Sequence, residues 1–230
     1  MKRYSKRLKI LKDLVKEKIY SFNDALSLLK QTGSAKFIES AEAHVSLNID
    51  PKYANQQLRT SLILPNGTGK NLKIAVFTDA DYVAEVLKMG ATIAGSDDLI
   101  EDISAGKLDF DILITTPQLM PKLAKLGRVL GPKGLMPSPK SGTVTSNLKD
   151  AINEFKKGKL EYRADKTGIV HLNFGKANFS EDQLKENLLS VYNSIEKNKP
   201  TGVKGKYFKS FHICTTMGPS INLELNSFKN

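Results

Sequence analysis

The chain has 230 residues, of which 35 are lysine or arginine and 24 are aspartate or glutamate, so its formal net charge is +11. Hydrophobic residues make up 40% of the sequence, which is enough for a packed core and excludes a wholly disordered chain. The basic excess predicts a polyanionic partner, with nucleic acid ahead of an acidic membrane surface. A single cysteine, Cys214, excludes a disulfide framework and a multi-cysteine zinc site. No apolar run approaches the roughly 18 residues that span a bilayer.

The first segment of the chain mixes helical and strand patterns. Apolar residues at helical spacing alternate with lysines, and serine or asparagine stands where a helix can be capped. Further along, apolar and polar residues alternate as they do in half-buried strands, up to a Pro-Asn-Gly turn. The predicted elements are a helix over residues 6–19, a helix from Ser21 or Asn23 to Gly33, a strand over 43–49 and a strand over 58–64.

From about residue 70 the pattern changes to strands and helices in alternation. Nearly continuous apolar runs are typical of strands that are buried on both faces, and glycines end the helices that follow them. This alternation predicts a parallel, α/β layered unit. The predicted strands cover residues 72–77, 91–94 and 110–114, and the helices begin near Asp79, Asp97, Pro117 and Leu148.

Beyond Gly158 the mixed style of the first segment returns. The predicted elements are a hairpin of strands 160–163 and 169–174, a helix capped by Ser180, and strands over 207–215 and 221–225. We therefore predict two domains in an α/β and α+β fold. Domain I is a discontinuous α+β domain of residues 1–67 and 159–230, and domain II is an inserted, Rossmann-like α/β domain of residues 68–158.

Two enzyme hypotheses fail on residue spacing. Residues 66–71 look like the end of a phosphate-binding P-loop, but Leu64 stands where that pattern needs glycine and Asn71 where it needs serine or threonine. No G-x-G-x-x-G pattern follows the first buried strand. A nucleotide-binding α/β enzyme is therefore only the alternative to a binding protein, and we predict no catalytic residue and no cofactor.

The three histidines, His44, His171 and His212, all fall on predicted strands, and Cys214 can share a strand face with His212. A Cys–His nucleophile also needs an orienting group and an oxyanion hole, which nothing in the sequence indicates. The scattered histidines form no metal motif, so we predict structural roles for them and no metal site. Acidic residues over 97–102 are interpreted as a solvated helix start, with a cation site as the alternative.

Three segments carry features that suit RNA. Residues 127–142 contain four glycines, three prolines, three basic residues and no acid, and Gly131–Gly134 has the G-x-x-G form of a backbone-clamping loop. Within Thr215–Ser220, the residues from Thr215 to Gly218 offer two hydroxyls, a thioether and a glycine to an RNA minor groove. An exposed Phe37 can stack on a base. The alternatives are an ordinary turn, a β-turn and a core aromatic, respectively.

Four segments together resemble the family of ribosomal protein one of the large subunit, the protein of the mobile stalk. They stand in the family's order, and the resemblance covers essentially the whole chain, including the inserted-domain layout. The four segments are Ser34–Glu42, Lys125–Pro137, Asp165–Gly168 and Thr215–Ser220.

The resemblance implies that domain I binds the stalk region of large-subunit rRNA in a 50S-type subunit, and that domain II helps to move and release deacylated tRNA at the exit site. It implies no enzyme activity and no membrane partner. Bacterial-type members also repress translation of their own mRNA by binding its leader. The implied rRNA contacts are Lys36, Phe37, Asp165, Lys166, Thr167, Gly168, Ser210, Thr216, Met217 and Gly218, with Arg128, Lys133 and Lys140 as candidates for a secondary RNA contact.

The stretch from Asp50 to Arg59 resembles the cyanobacterial and plastid branch of the family. The abundance of lysine, asparagine and isoleucine suits an AT-rich organelle genome, and an organelle-encoded protein needs no transit peptide. We therefore expect a plastid ribosome, with the bacterial cytoplasm as the alternative.

The charge divides unevenly at the predicted domain boundaries. Residues 68–158 hold 12 basic and 11 acidic side chains, whereas the rest of the chain holds 23 basic and 13 acidic ones. Permanent RNA anchoring is therefore predicted for domain I, and a weaker, reversible contact for domain II.

Overall fold

A computed structural model of the chain describes residues 4–16, 18–203 and 205–228. Two sequence predictions extend beyond these residues. Both ends of domain I and one position of the helix predicted over 6–19 lie outside the described part of the chain. Among the described residues, no helix is long and apolar enough to cross a membrane.

The described residues form eight α-helices and ten strands. In chain order they are α1 (Lys6–Leu14), β1 (Ile19–Tyr20), α2 (Phe22–Thr32), β2 (Ser40–Leu47), β3 (Arg59–Ile63), β4 (Ile74–Phe77), α3 (Val83–Lys88), β5 (Ile93–Gly95), α4 (Asp97–Ser104), β6 (Ile112–Thr115), α5 (Met120–Ala124), α6 (Gly127–Leu130), α7 (Leu148–Lys156), β7 (Lys159–Arg163), β8 (Ile169–Lys176), α8 (Glu181–Lys197), β9 (Phe208–Thr215) and β10 (Ile221–Leu223). Short 3₁₀ helices cover Ala54–Gln56, Ala80–Tyr82, Pro117–Leu119, Pro139–Ser141 and Leu225–Phe228.

The chain divides into two structural units. One is discontinuous and consists of Met1–Gly69 and Glu161–Asn230, and the other is inserted and consists of Lys70–Leu160. We call them the discontinuous unit and the inserted unit. Each domain boundary predicted from the sequence lies two residues earlier in the chain than the observed one.

The discontinuous unit contains a five-stranded sheet with the strand order β1-β10-β9-β2-β8. The strand β2 pairs antiparallel with both β9 and β8, and β1 pairs parallel with β10. Burial alternates along β2 because successive side chains of a strand point to opposite faces. The buried face packs against α2 and α8, so the other face is left to polar side chains.

The two helices on this sheet begin at predicted caps. The hydroxyl of Ser21 accepts a hydrogen bond from the backbone N–H of Asp24, which selects Ser21 over Asn23 as the cap of α2. Ser180 and Gln183 form a capping box at the start of α8. Apolar residues of α8 then recur at spacings of three and four, so one helical stripe is buried; it comprises Leu184, Leu188, Val191 and Ile195.

The prediction of one helix over residues 6–19 is wrong at its C-terminal end. The helix α1 ends at Leu14, because the backbone of Val15 is extended (φ −95°, ψ 97°). Ile19 and Tyr20 instead form β1, which pairs with β10. Ile19 therefore meets the helical spacing of the sequence but belongs to the edge of the sheet.

The predicted hairpin of residues 160–163 and 169–174 is also wrong. The turn between these segments exists, but β7 pairs with β3 and β8 pairs with β2. A single bridge between Ala164 and Val170 is what remains of the expected pairing. The pairing of β3 with β7 includes an ion pair of Arg59 with Glu161. A turn signal predicts that the chain reverses, but it does not determine which strand each arm pairs with.

The inserted unit contains a parallel sheet of three strands in the order β5-β4-β6. All four residues of β4 are buried, as its continuous apolar run predicts. One face of the sheet packs against α4, α5 and α6, and the other packs against α3 and α7. The chain is therefore a mixed α/β protein, as predicted, while the finer Rossmann-like assignment stays a prediction.

The segment 127–142, whose glycines and prolines predict a loop, is a loop only in part. Its first four residues form α6, because Leu130 is fully buried in the core of the inserted unit. The G-x-x-G segment follows as a turn, in which the N–H of Gly134 donates to the carbonyl of Gly131 at 3.1 Å. The acidic residues over 97–102 begin α4, as expected for a helix start, and Asp97 pairs with Lys122 at 3.0 Å.

One buried amide joins three segments of the discontinuous unit. The side-chain amide of Asn187, on α8, donates to the carbonyls of Gly67 at 3.0 Å and Phe174 at 2.8 Å. Its oxygen accepts from the backbone N–H of Asn66 at 3.0 Å. The turn after β3, the strand β8 and the helix α8 are thus held by a single side chain.

We expect Asn187→Ala to lower the free energy of unfolding by about 2–4 kcal/mol, because it leaves buried backbone groups without partners. Urea unfolding followed by circular dichroism measures this loss. Asn193→Ala, at an exposed position of the same helix, is the matched control and should change the free energy by less than about 0.5 kcal/mol. Equal losses in the two variants would contradict the bridging role.

Candidate nucleic-acid interface

Nine of the ten predicted rRNA contacts lie at the two ends of β2. We call those at its first end the Met217 group, which comprises Lys36, Phe37, Thr216, Met217 and Gly218. We call those at its last end the Asp165 group, which comprises Asp165, Lys166, Thr167 and Gly168. A strand of this length spans about 24 Å, at about 3.4 Å per residue, so the two groups are separate patches joined by the exposed face of the sheet.

The Met217 group is organised by the carboxylate of Glu39. One carboxylate oxygen accepts from the backbone N–H of Ala35 at 2.8 Å, and the other accepts from the backbone N–H of Met217 at 2.9 Å. Glu39 is only 1% exposed. Burial acts to raise the pKa of Glu39, but the N–H groups of Met217 and Ala35, together with Thr215 and Arg7, outweigh it and hold the pKa below its ordinary value. The carboxylate therefore ties the segment before β2 to the turn after β9.

Further contacts hold the same turn in place. The guanidinium of Arg7 donates to the carbonyl of Met217 at 2.9 Å and to the hydroxyl of Ser34 at 3.3 Å. The hydroxyl of Thr216 accepts from the backbone N–H of Ser40 at 3.0 Å. The turn is thus fixed through its backbone, while the side chain of Met217 is left free of these bonds.

The close packing of the turn explains its glycine. A Cβ atom on Gly218 would lie 2.3 Å from the hydroxyl oxygen of Thr215, so a larger residue would push the turn away from β9. The N–H of Gly218 donates to the carbonyl of Thr215 at 3.0 Å, which makes the segment a β-turn. The alternative prediction of a β-turn is therefore confirmed. The outward side of this turn faces solvent.

Two apolar side chains of the Met217 group face solvent. Phe37 is 55% exposed and Met217 is 50% exposed. The alternative that Phe37 is a core aromatic is therefore wrong. An exposed aromatic ring and an exposed thioether within one backbone-fixed group provide flat, apolar contact area for bases or sugars.

The Asp165 group is a turn shaped by its own carboxylate. The carboxylate of Asp165 accepts from the backbone N–H groups of Thr167 and Ile169, at 2.9 and 2.8 Å, and from the Thr167 hydroxyl. The bond from Ile169 is the first cause of the lowered pKa of Asp165. Gly168 has φ = 80°, which favours glycine, and its carbonyl accepts from the N–H of Leu47 at the end of β2. Lys166 and Thr167 remain exposed.

The tenth predicted contact, Ser210, lies on the sheet face between the two groups, opposite Ser46. The same face carries one histidine from each of β2, β8 and β9, and the carboxylate of Glu42 on β2. His44 pairs in register with both His171 and His212. The imidazole nitrogens Nδ1 of His44 and His171 lie 2.8 Å apart.

Cys214 and His212 lie on the same face of β9, as the sequence indicates, and the Cys214 thiol contacts His44 on the neighbouring strand. The Sγ atom of Cys214 lies 3.3 Å from Nε2 of His44, on the neighbouring strand. Burial, reinforced by Glu42, raises the pKa of the Cys214 thiol to about 11. The pKa of His44 is lowered by its burial and, to a smaller extent, by the neighbouring His171. The Cys214 thiol and the His44 imidazole are therefore both neutral near pH 7.

Sequence reasoning missed this cluster and the role of Glu39. Alternating polar residues mark the exposed faces of β2 and β9, which is the one signal available before the fold is known. Which polar residue faces which depends on the strand register, and the sequence alone does not supply it.

The three candidates for a secondary RNA contact lie in the inserted unit. Arg128 is on α6, Lys133 is in the G-x-x-G turn, and Lys140 is in a 3₁₀ helix; all three are exposed. Their role as RNA contacts, like that of the other predicted contacts, stays a prediction.

The basic excess falls mainly on the discontinuous unit. Its two segments hold 22 basic and 13 acidic residues, whereas the inserted unit holds 13 basic and 11 acidic ones. The unit that carries the Met217 and Asp165 groups therefore also carries most of the attraction for a polyanion.

Glu39→Gln should lower the free energy of unfolding at pH 7 by about 1–3 kcal/mol, since it weakens two charge-assisted hydrogen bonds in a buried site. The folded pKa of Glu39 lies below its ordinary value of 4.5. Its stabilisation is therefore present above that ordinary value and is lost as the pH falls through the lower folded value. The difference between the parent and the variant should shrink below about pH 4.

Urea unfolding at a series of pH values tests this expectation. Glu224→Gln, at an exposed position of the same unit, is the control and should differ little from the parent at any pH. A Glu39→Gln difference that stays constant down to pH 3 would show that the carboxylate charge contributes nothing.

Comparison with known proteins agrees with the sequence resemblance. The chain matches the family described as the ribosomal protein L1p/L10e family over residues 28–219. It is 60% identical over 230 residues to the large ribosomal subunit protein uL1c of Guillardia theta, covering 100% of this chain and 98% of that protein. It is 60% identical over 229 residues to uL1c of Trieres chinensis, covering 99% of this chain and 100% of that protein. It is 54% identical over 230 residues to uL1 of Prochlorococcus marinus subsp. pastoris, covering 100% of this chain and 98% of that protein.

Proposed function

The chain belongs to the ribosomal protein L1p/L10e family, and from this premise we propose that its discontinuous unit binds the stalk region of large-subunit rRNA. As a member of that family it is a large-subunit ribosomal protein and not an enzyme. Its plastid location is supported by the uL1c relatives at 60% identity, with bacterial-type uL1 at 54%.

The Met217 group is the observation that carries the proposal. Its turn is held by Glu39, Arg7 and Thr216 through hydrogen bonds to the backbone, so binding RNA does not have to order it. Phe37 and Met217 are half exposed beside this rigid frame. An A-form minor groove and unstacked bases offer sugars and ring faces that match such side chains.

The Asp165 group and the sheet face extend the surface along β2. Lys166 supplies a positive charge at an exposed turn, and Ser210 supplies a hydroxyl between the two groups. We assign phosphate contacts to the lysines and sugar or base contacts to the hydroxyl, methionine and phenylalanine side chains. This division follows from their chemistry, since lysine pairs with phosphate and flat or polar side chains read sugars and bases.

We assign a weaker contact with exit-site tRNA to the inserted unit. Its charges nearly cancel, but basic residues concentrate over 127–142 and six acids with one lysine lie over 97–111. A contact with few phosphates dissociates readily, which suits a step that must release tRNA.

The same rRNA-binding surface is also proposed to bind an rRNA-like site in the leader of the protein's own mRNA and so to repress its translation. Competition binding separates the two roles: an rRNA stalk fragment and a leader fragment should displace each other from the protein. Simultaneous binding of both fragments would rule out a shared surface.

We expect Met217→Asp to weaken binding of a stalk rRNA fragment by about 1–3 kcal/mol, because it places a carboxylate where the RNA backbone is negative and removes an apolar contact. Filter binding or calorimetry at fixed salt measures the loss. Phe37→Ala should cost a similar amount through lost stacking.

Leu87→Asp is the matched control for Met217→Asp. Leu87 is a similarly exposed apolar residue, but it lies in the inserted unit, where we propose no rRNA anchor. Its substitution adds the same charge and should leave rRNA affinity nearly unchanged. If Met217→Asp bound the stalk fragment as tightly as the parent protein, the proposed surface would be wrong.

The affinity for the stalk fragment should fall as salt rises, because phosphate contacts release counterions. Lys36→Ala and Lys166→Ala should each reduce the slope of log K against log salt by about 1. Lys149→Ala, an exposed lysine of the inserted unit, should leave the slope unchanged. A salt-independent affinity would argue against phosphate anchoring by the discontinuous unit.

A further inference from the structure

Three side chains with different metal-binding atoms meet on the exposed face of the five-stranded sheet. Glu42 and His44 are two residues apart on β2 and so point to the same face. Cys214, on β9, lies opposite Glu42 in the register. One ligand atom from each residue lies within 4.8 Å of the other two.

The distances fit a tetrahedral ion of zinc size. Bonds from zinc of about 2.0 Å to nitrogen and 2.3 Å to sulfur place neighbouring ligand atoms roughly 3.3–3.6 Å apart. Nε2 of His44 lies 3.3 Å from Sγ of Cys214 and 3.8 Å from Oε2 of Glu42. Small side-chain rotations therefore bring the three atoms into one coordination shell.

The donor set selects the class of metal. A thiolate, an imidazole and a carboxylate suit zinc and similar transition ions, whereas calcium and magnesium take oxygen ligands. Three protein ligands leave a fourth position for water. The side chains of Glu42 and His44 are 35% and 31% exposed, so an ion can enter from solvent without any opening of the fold.

A chain of side chains behind His44 orients its ring for this role. Oδ2 of Asp165 lies 3.6 Å from Nε2 of His171. In the tautomer of His44 that carries its proton on Nδ1, this N–H donates to Nδ1 of His171 across 2.8 Å. In that tautomer the lone pair on Nε2 of His44 is directed at Sγ of Cys214. Carboxylate and histidine partners of this kind commonly support a metal-bound imidazole.

We propose that Glu42, His44 and Cys214 form a zinc-binding site on the exposed sheet face, with His171 and Asp165 as positioning residues for the His44 ring. The site goes beyond the rRNA role and does not depend on it, since its geometry belongs to the protein alone. It also differs from the expectation from the sequence, where the three scattered histidines form no metal motif and no metal site is predicted.

Cobalt(II) titration of the reduced, tag-free and RNA-free full-length protein tests the proposal. Cobalt replaces zinc and reports a thiolate ligand through a charge-transfer absorption band. We expect one equivalent of cobalt to produce this band and one equivalent of zinc to abolish it. Cys214→Ser should remove the band, and His44→Ala should weaken cobalt binding at least tenfold.

Two further variants separate ligands from neighbours. His212→Ala removes a histidine of the same sheet face that is outside the ligand group, and it should leave the band and the affinity unchanged. His171→Asn should retain the band but weaken cobalt binding by about 10–100-fold, as expected for a residue that only positions a ligand.

The absence of a thiolate–cobalt band at millimolar cobalt would overturn the proposal. A band and affinity that are unchanged in His44→Ala would overturn it as well. Thermal unfolding without metal checks that each variant is folded. If His44→Ala fails to fold, the deciding variant is Glu42→Gln, which changes a half-buried side chain to one of nearly equal size. A tenfold weaker affinity for cobalt in this variant supports the site, and an unchanged affinity overturns it.

Discussion

The Met217 group, the Asp165 group and the sheet face between them all depend on the pairing of β2 with strands from the other end of the chain. His44 pairs with His171, which is 127 positions away, and lies against Cys214, which is 170 positions away. The first residues of β2 meet the turn of Met217, and its last residue meets Gly168. Such distant pairings are costly to form, because they need long loops to close. The loss of β2 would separate the Met217 group, the Asp165 group and the candidate metal ligands at once.

Much of the fold could be predicted from the sequence where local rules decide. The caps at Ser21 and Ser180 and the buried strand β4 follow from residue type and spacing. The wrong predictions share one cause: a strand that is distant in sequence pairs with the segment and overrides its local pattern. Ile19 fits a helix but pairs with β10, and residues 169–174 fit a hairpin but pair with β2. Short-range patterns describe a segment's preference, whereas strand partners are chosen by the whole chain.

The candidate site was likewise predictable where a local motif marks a residue, and not where a distant partner decides. The predicted contacts come from motif resemblance, and the exposure of Phe37 and Met217 suits that assignment. Glu39 and Arg7 hold the turn, but no sequence motif marks them. They are 32 positions apart in the chain, and only the fold shows that both bind the backbone of Met217. The His44–Cys214 contact was missed for the same reason, since strand register decides which polar side chains face one another.

The carboxylate of Glu39 and the guanidinium of Arg7 bind main-chain atoms of residue 217 and not its side chain. These hydrogen bonds therefore do not depend on which side chain stands at position 217. Residue 217 can vary widely in chemistry while its backbone stays where Glu39 places it. The backbone of the turn is therefore fixed while its side chain can be exchanged. The chemistry that the turn presents to a partner can thus change during evolution, or be redesigned, without a new fold.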